Sequence, residues 1–401
     1  MTNMDKKIRV SMVGCCLVDR VYNNISFFDP SFLPFLSKRR GDGGLTPGKL
    51  VFKEEFEKFC EVNLPTIIDK ITYKTLSAKV SIGGPGIVPL IHISQMLYGS
   101  ENECHFYGCS GNDEDSEFIR SILKNMNISL ENYSMSDKPT PSTIVLSDPD
   151  YDSGHGERIF INSIGAAWEY TPDKLDECFF SSDIVIFGGT ALVPQIHDHL
   201  TELLETAKAN GCITIVNTVY DFKNEKDNPH NKWPLGKNDS SYHNIDLLIT
   251  DREEALRLSG KNNIENAIKF FRDKGTEAVI ITNGPNNIKV FSGKQSVFID
   301  SGLCELPVAD IKSWKLAKKH GDTTGCGDNF AGGVIANLVI QLQNGDEKLD
   351  LLEACTWGVV SGGFTCFHVG GTYVENYPGE KRDLITFYYE KYKQNKIDSE
   401  N

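Results

Sequence analysis

His320-Gly321-Asp322-Thr323-Thr324-Gly325-Cys326-Gly327-Asp328-Asn329-Phe330-Ala331-Gly332-Gly333 joins a glycine-rich turn to an apolar run of helical character. The first backbone amides of a helix have no partner within it and point outward. The helix dipole adds partial positive charge at the same end. Gly325 and Gly327 carry no side chain that would keep an anion off these amides. Asp328 is the odd member, because a carboxylate repels an anion. Its presence is explained if it takes a proton from a hydroxyl that approaches the anion. A tight strand-to-helix turn accounts for the glycines without any ligand, but it leaves the acid without a purpose.

Upstream of this turn, strand-like and helical runs alternate. The patterns predict a helix over 172–180, a strand over 184–187, a helix over 196–210 and a strand over 212–216. A strand over 245–250, helices over 253–258 and 263–274, and a strand over 278–282 follow. The turn's own helix is predicted over 326–342, then an apolar segment over 351–367 and a frayed polar tail from Lys391. Strands separated by helices of this length indicate βαβ units on a parallel sheet. Ligands of such sheets bind beyond the carboxyl ends of the strands. Asp19, Asn217, Asp251, Thr282 and Asp322 follow apolar runs or lie at turns, which predicts polar groups along one sheet edge. An anion site beside a base reads as phosphoryl transfer to an alcohol.

The first 170 residues are less regular. A strand is predicted over 8–16, with Asp19 at its carboxyl end. Residues 23–79 are broken by Pro30, Pro34, Pro47, Pro65 and the turn cluster Gly41-Asp42-Gly43-Gly44, and one helix is predicted there, around 53–62. The segment reads as an insertion packed on the main body. A glycine turn entering an apolar helix over 81–98, a strand over 104–110 and an amphipathic helix over 113–127 come next, then short strands over 143–146 and 157–162. One α/β body spanning 1–401, with lid elements within about 20–80 and 140–165, fits this order better than two domains.

Composition narrows the partners. The chain has 401 residues, 40% of them apolar and 24% charged, as expected of a globular protein with a sizeable core. A net charge of −14 argues against nucleic acid or an anionic membrane as partner. The 11 cysteines follow no regular spacing and Cys15-Cys16 are adjacent, which suits thiols in a reducing cytoplasm. No signal-peptide core follows the polar first residues, and no run reaches the ~18 apolar residues of a spanning helix.

The pattern D-T-x-G-[AC]-G-D-x-F-x-G-G of residues 322–333 resembles the signature of the PfkB (ribokinase-like) family of carbohydrate and nucleoside kinases. The resemblance implies a three-layer ribokinase-like fold with a mostly parallel sheet and a small lid. It implies ATP and Mg²⁺, with Asp328 as base and the amides of Gly325, Cys326 and Gly327 as anion hole. Asp19 would hold acceptor hydroxyls; taken alone it reads as a turn-forming acid. Ile82-Gly83-Gly84-Pro85-Gly86-Ile87-Val88 resembles the motif G-G-x-x-x-N, which lays Gly83 and Gly84 against the acceptor. Val88 stands where the family has an Asn that bonds sugar hydroxyls. Gly154-His155-Gly156-Glu157-Arg158 resembles the family's G-E-R turn, with Arg158 reaching an anionic group; a solvated hairpin tip is the plain alternative.

The segment Asp246–Gly260 resembles D-[ILV]-[ILV]-x-x-N-x-x-E-A-x-x-[LI]-[ST]-G. Glu254 would help place Mg²⁺ and its waters, and Asp251 replaces the usual Asn beside the nucleotide. Acids at a helix start serve equally as dipole partners. Thr282-Asn283-Gly284 resembles the T-x-G strand end that faces the nucleotide, with Asn217 at a neighbouring strand end. The segments around Gly362-Gly363 and His368–Thr372 would flank the adenine. With Asp322 they would also form a monovalent cation (K⁺) site found in some members. A sugar is the expected acceptor, and the protein is expected to be a monomer or homodimer. The length of the 23–79 insertion resembles adenosine kinases and keeps a nucleoside acceptor as the alternative. The changes at Val88 and Asp251 raise a third reading, a catalytically weak binding sensor.

Overall fold

The computed structural model describes residues 6–39, 41–73, 77–154, 156–294, 296–314 and 323–400. The strands are β1 (Ile8–Gly14), β2 (Leu17–Tyr22), β3 (Leu50–Phe52), β4 (Lys79–Gly83), β5 (Asn102–Ser110), β6 (Ile128–Ser129), β7 (Tyr133–Met135), β8 (Ser142–Asp148), β9 (Glu157–Ser163), β10 (Ile184–Gly188), β11 (Ile213–Asn217), β12 (Leu247–Asp251), β13 (Ala278–Asn283), β14 (Asn286–Ser292) and β15 (Gly302–Leu306). A large sheet has the order β15-β14-β13-β12-β11-β10-β1-β5-β6, with β7 beside β5. Its neighbours are parallel from β13 to β6, and β14 and β15 add antiparallel pairs at one end.

The parallel strands are apolar at successive positions because both faces are covered. Ile184, Ile186 and Ile280 point into a core shared with helices Val88–Met96, Cys326–Asn344 and Leu351–Thr365. Val185, Phe187, Val279 and Ile281 point the other way, onto helices Leu200–Ala209, Arg252–Ser259 and Ile264–Asp273. Three layers result, as the resemblance implied.

A second sheet of five strands has the order β3-β9-β8-β2-β4. Its strands alternate in the manner of a sheet with two different faces. Ile144, Leu146, Ile159 and Ile161 form a third core with Phe27, Phe32, Phe56 and Ile67, so the 23–71 segment packs on the outer face of β8 and β9. By the same alternation Thr143, Arg158 and Asn162 lie on the opposite face.

Several expectations are corrected. The predicted 8–16 strand is two elements: β1 ends at Gly14, the buried Cys15 and Cys16 cross between sheets, and Asp19 lies inside β2. No polar turn marks the crossing because it runs through the core. A helix absent from the sequence reading covers Leu64–Ile71; Pro65 sits in its first turn, where a missing N–H costs nothing, and the Asn63 side chain accepts from Thr66 N–H at 3.0 Å. The 172–180 helix is two short turns, and the 196–210 helix divides into Pro194–Asp198 and Leu200–Ala209. The tail from Lys391 belongs to a helix, Glu380–Glu400, anchored by Ile385, Tyr388, Tyr389 and Tyr392. Their three- and four-residue spacing makes one apolar stripe. Among the described residues no helix is long and apolar enough to cross a membrane.

Candidate active site

The anion turn. Helix Cys326–Asn344 starts at Gly325, whose φ of +75° few other residues adopt and whose Cβ, if present, would lie 2.4 Å from Gly371 Cα. Gly325, at the cap position, has no side chain to close this end. Cys326 N–H donates to Thr323 O at 3.3 Å and Asn329 N–H to Gly325 O at 2.9 Å. Among the described residues the amides of Gly327 and Asp328 have no acceptor, and the space above Gly327 is open to 4 Å. Asp328 is the third helical residue and only partly exposed; burial pushes its carboxyl up to about 6. Such a carboxyl is mostly ionised at neutral pH yet basic enough to accept a proton. The Cys326 and Cys366 thiols lie 3.5 Å apart behind the turn. From β9, Arg158 donates to Thr324 Oγ1 and to Thr323 Oγ1, both at 2.7 Å. Its guanidinium therefore lies against the anion turn, not at a solvated hairpin tip.

The inner face of the small sheet. Asp19 is held opposite Thr143 of β8 and Ser81 of β4, and Thr143 opposite Asn162 of β9. Directly opposed residues share a face, so Asn162, Thr143, Asp19 and Ser81 form one polar row across four strands. Asn162 Nδ2 donates to Thr143 Oγ1 at 2.9 Å. Asn162 Oδ1 and Ser81 Oγ are buried without a partner among the described residues. A Cβ on Gly83 would fall 1.9 Å from Asp19 Oδ2, so this glycine makes room for the carboxylate. Gly84 has φ +110° and passes close to Cys15 O. The row ends at the anion turn: a Cβ on Gly370 would meet Ser81 Oγ at 2.4 Å, and Gly371 abuts Gly325. Val88 is buried against Gly371 at the start of its helix, where it packs and bonds no hydroxyl.

The sequence reading missed Asn162, Thr143 and Ser81. Their signal was the alternation Arg158-x-Phe160-x-Asn162, which becomes legible only once the strand pairings are known. Asp19, expected on the large sheet's edge, belongs to this row instead.

The strand ends. Asn217 closes β11, Asp251 closes β12, and Asp251 pairs with Thr282 of β13, so these three stand side by side at adjacent carboxyl ends. Gly284, with φ +56°, turns from β13 into β14 and faces open space. Asp251 and Glu254 form a capping box at helix Arg252–Ser259. Glu254 is buried and held above the usual carboxylate range by burial and by the Asp251 charge. Its bonds from Thr218 Oγ1, Thr250 Oγ1 and Asp251 N–H all fall on Oε2, which leaves Oε1 for a cation or its water. Mg²⁺ needs few protein ligands when phosphates supply others, so the residues present fit it. Asp322, the proposed K⁺ ligand, lies outside the described residues, as do His320 and Gly321.

Residues 69–376 match the model of the pfkB family carbohydrate kinases. Over 95 residues the chain is 30% identical to an ATP-dependent 6-phosphofructokinase of Thermoanaerobacterium thermosaccharolyticum, which is 24% of this chain and 25% of that protein. Over 92 residues it is 28% identical to a cytidine kinase of Thermococcus kodakarensis, 23% and 29% of the two chains. The matched stretch thus spans about a quarter of the length of these relatives. Adenosine kinase from Schistosoma mansoni in complex with 2-fluoroadenosine shares the fold at a TM-score of 0.68 and 15% identity, covering 96% of this chain and 99% of that one. Ribokinase from Thermotoga maritima does so at 0.62 and 18%, with the same coverage. The glycine-opened turn, its acid and the three-layer fold therefore stand in a chain that belongs to the pfkB family of carbohydrate kinases.

Proposed function

We propose that the protein transfers the γ-phosphoryl group of ATP to a hydroxyl of a sugar. The observation that carries this is Asp328 in the first turn of a helix where the Gly327 and Asp328 amides have no acceptor among the described residues. The acceptor hydroxyl gives its proton to Asp328 as its oxygen attacks the phosphorus, and the bond from phosphorus to the ADP oxygen breaks. The amides of Gly325 to Asp328 receive charge on the migrating group, and Arg158 offers a second positive group from the small sheet. Asn217, Asp251, Thr282 and Gly284 line the nucleotide side. Mg²⁺, held through Glu254, would neutralise phosphate charge when bound.

The row Asn162–Thr143–Asp19–Ser81 favours a hydroxyl-rich acceptor. Two of its buried polar atoms lack partners among the described residues, and sugar hydroxyls both donate and accept. Asn162 supplies the amide that Val88 no longer provides. In this reading the small sheet is a lid and Asp322 contributes to a K⁺ site. The protein works as a monomer or homodimer in the cytoplasm. ATP consumption with a panel of monosaccharides, sugar phosphates and nucleosides tests the assignment. Turnover with a monosaccharide is expected. Turnover with nucleosides alone would move the acceptor assignment to the nucleoside alternative. Ligand-induced stabilisation without any turnover would favour the sensor.

A further inference from the structure

Asn329, next to Asp328, points about 100° round the helix from it and is fully buried. Its amide makes four bonds. Nδ2 donates to Gly325 O at 2.9 Å and to Gly371 O at 2.8 Å. Oδ1 accepts from Lys381 Nζ at 2.8 Å and faces His92 Nδ1 at 2.9 Å. Carbonyls only accept and an ammonium only donates, so the partners themselves fix which end of the amide is which. Asn329 thus clips both sides of the anion turn, Gly325 and the Gly371 backbone it rests on. Lys381, from the carboxyl-terminal helix, holds the clip.

Lys381 is 1% exposed. Its ammonium contacts two neutral amide oxygens, those of Asn329 and of Gln95 at 3.0 Å, and Gln95 in turn donates to Tyr373 O at 2.8 Å. The other titratable groups around it are His92 and His368, both kept neutral by burial, and Glu375, which accepts the Lys381 main-chain N–H at 2.8 Å. Burial pushes the Lys381 ammonium down to about 7, with the Glu375 charge pulling the other way; holding a proton there without a carboxylate contact among the described residues is costly, and an apolar side chain of this length would serve packing alone better. A positive charge there has a use, because hydrogen bonds in series polarise one another. The ammonium draws on Asn329 Oδ1, and Asn329 Nδ2 draws on Gly325 O. That carbonyl belongs to the same peptide as the Cys326 N–H, so the pull reaches the amides of the turn.

We propose that Lys381 is a positioning residue for phosphoryl transfer: through Asn329 its buried ammonium braces and polarises the turn that receives the phosphate. The catalytic half of this rests on the phosphotransfer reading above; the bracing half does not. The experiment compares wild type, Lys381→Met and Asn329→Asp, with melting temperatures to establish folding. Asn329→Asp keeps an acceptor for Lys381 but cannot donate to Gly325 and Gly371. Amide hydrogen exchange of the 325–331 segment is read first. Faster exchange there in both variants, with the rest of helix Cys326–Asn344 unchanged, is expected; wild-type protection in both would overturn the brace. Steady-state kinetics with the acceptor that wild type phosphorylates is read second. A fall in kcat of about tenfold or more is expected in Lys381→Met, less than the ~10²–10³ of a lost preorganised donor because Lys381 acts through Asn329, with KM for ATP within about twofold. A kcat within about twofold of wild type, with only a lower melting temperature, would make Lys381 structural and overturn the proposal. If wild type itself phosphorylates nothing, the phosphotransfer reading and the catalytic half fail together, while the exchange measurement still decides the brace.

Discussion

Asp328 carries opposite consequences for activity and stability. Its folded carboxyl, pushed up to about 6 by burial, lies above the ordinary aspartate value of about 3.9. In its proposed role as base Asp328 must be ionised, so kcat is expected to fall as pH drops through about 6. The fold, by contrast, disfavours the ion: the penalty is present above about pH 6 and is gone below the unfolded value near 4. Asp328→Asn is therefore expected to raise the melting temperature at about pH 8 and to leave it unchanged near pH 4. Equal melting temperatures at both pH values would show that the site imposes no such penalty. Asn162 is expected to act on the acceptor alone. Asn162→Ala should raise acceptor KM by about tenfold, the order of one lost hydrogen bond, and leave KM for ATP unchanged. A change confined to ATP would place Asn162 outside the acceptor pocket.

The elements differ in how much of them was legible. The parallel strands announced themselves because burial on both faces demands unbroken apolar runs, as in Ile184–Phe187. The anion turn was legible because the proposed phosphate site dictates residue types: glycine at the φ of Gly325, an acid at Asp328. The small sheet was not, since its residues are chosen by partners distant in sequence, such as Thr143 opposite both Asp19 and Asn162. Pro65 read as a breaker because its place in a first turn depends on Asn63 being the cap. The segment Asp251–Glu254 was ambiguous for a different reason, as one pair of acids both caps a helix and stands at the carboxyl end of a parallel strand. Glu254→Gln separates these uses. Gln keeps the capping geometry and removes a charge that burial opposes, so the melting temperature at about pH 8 should not fall. The Mg²⁺ concentration for half-maximal rate should rise; an unchanged magnesium titration would remove Glu254 from the metal's surroundings. Arg158 links two elements, and Arg158→Ala is expected to lower kcat by about 10²-fold with little loss of stability, because its partners are two threonine hydroxyls near the surface.

Across the molecule, two sheets meet at a junction of glycines. Gly83 and Gly84 of the small sheet's edge, Gly370 and Gly371 of the loop beside it, and Gly325 of the anion turn approach too closely for side chains. The acceptor row and the phosphate turn are thereby brought within one contact of each other through Gly370 and Gly371. The insertion at 23–71 buries the outer face of β8 and β9 and supports the row from behind. In the proposed reaction Asp328 activates the acceptor while the turn that holds it takes the phosphate. This is tested most directly by comparing kcat of wild type and Asp328→Asn on the acceptor that wild type phosphorylates, alongside ATP binding by calorimetry. A fall of at least about 10³-fold in kcat is predicted, from lost base and lost positioning, with ATP affinity retained. A variant that keeps a tenth of the wild-type kcat would contradict the account.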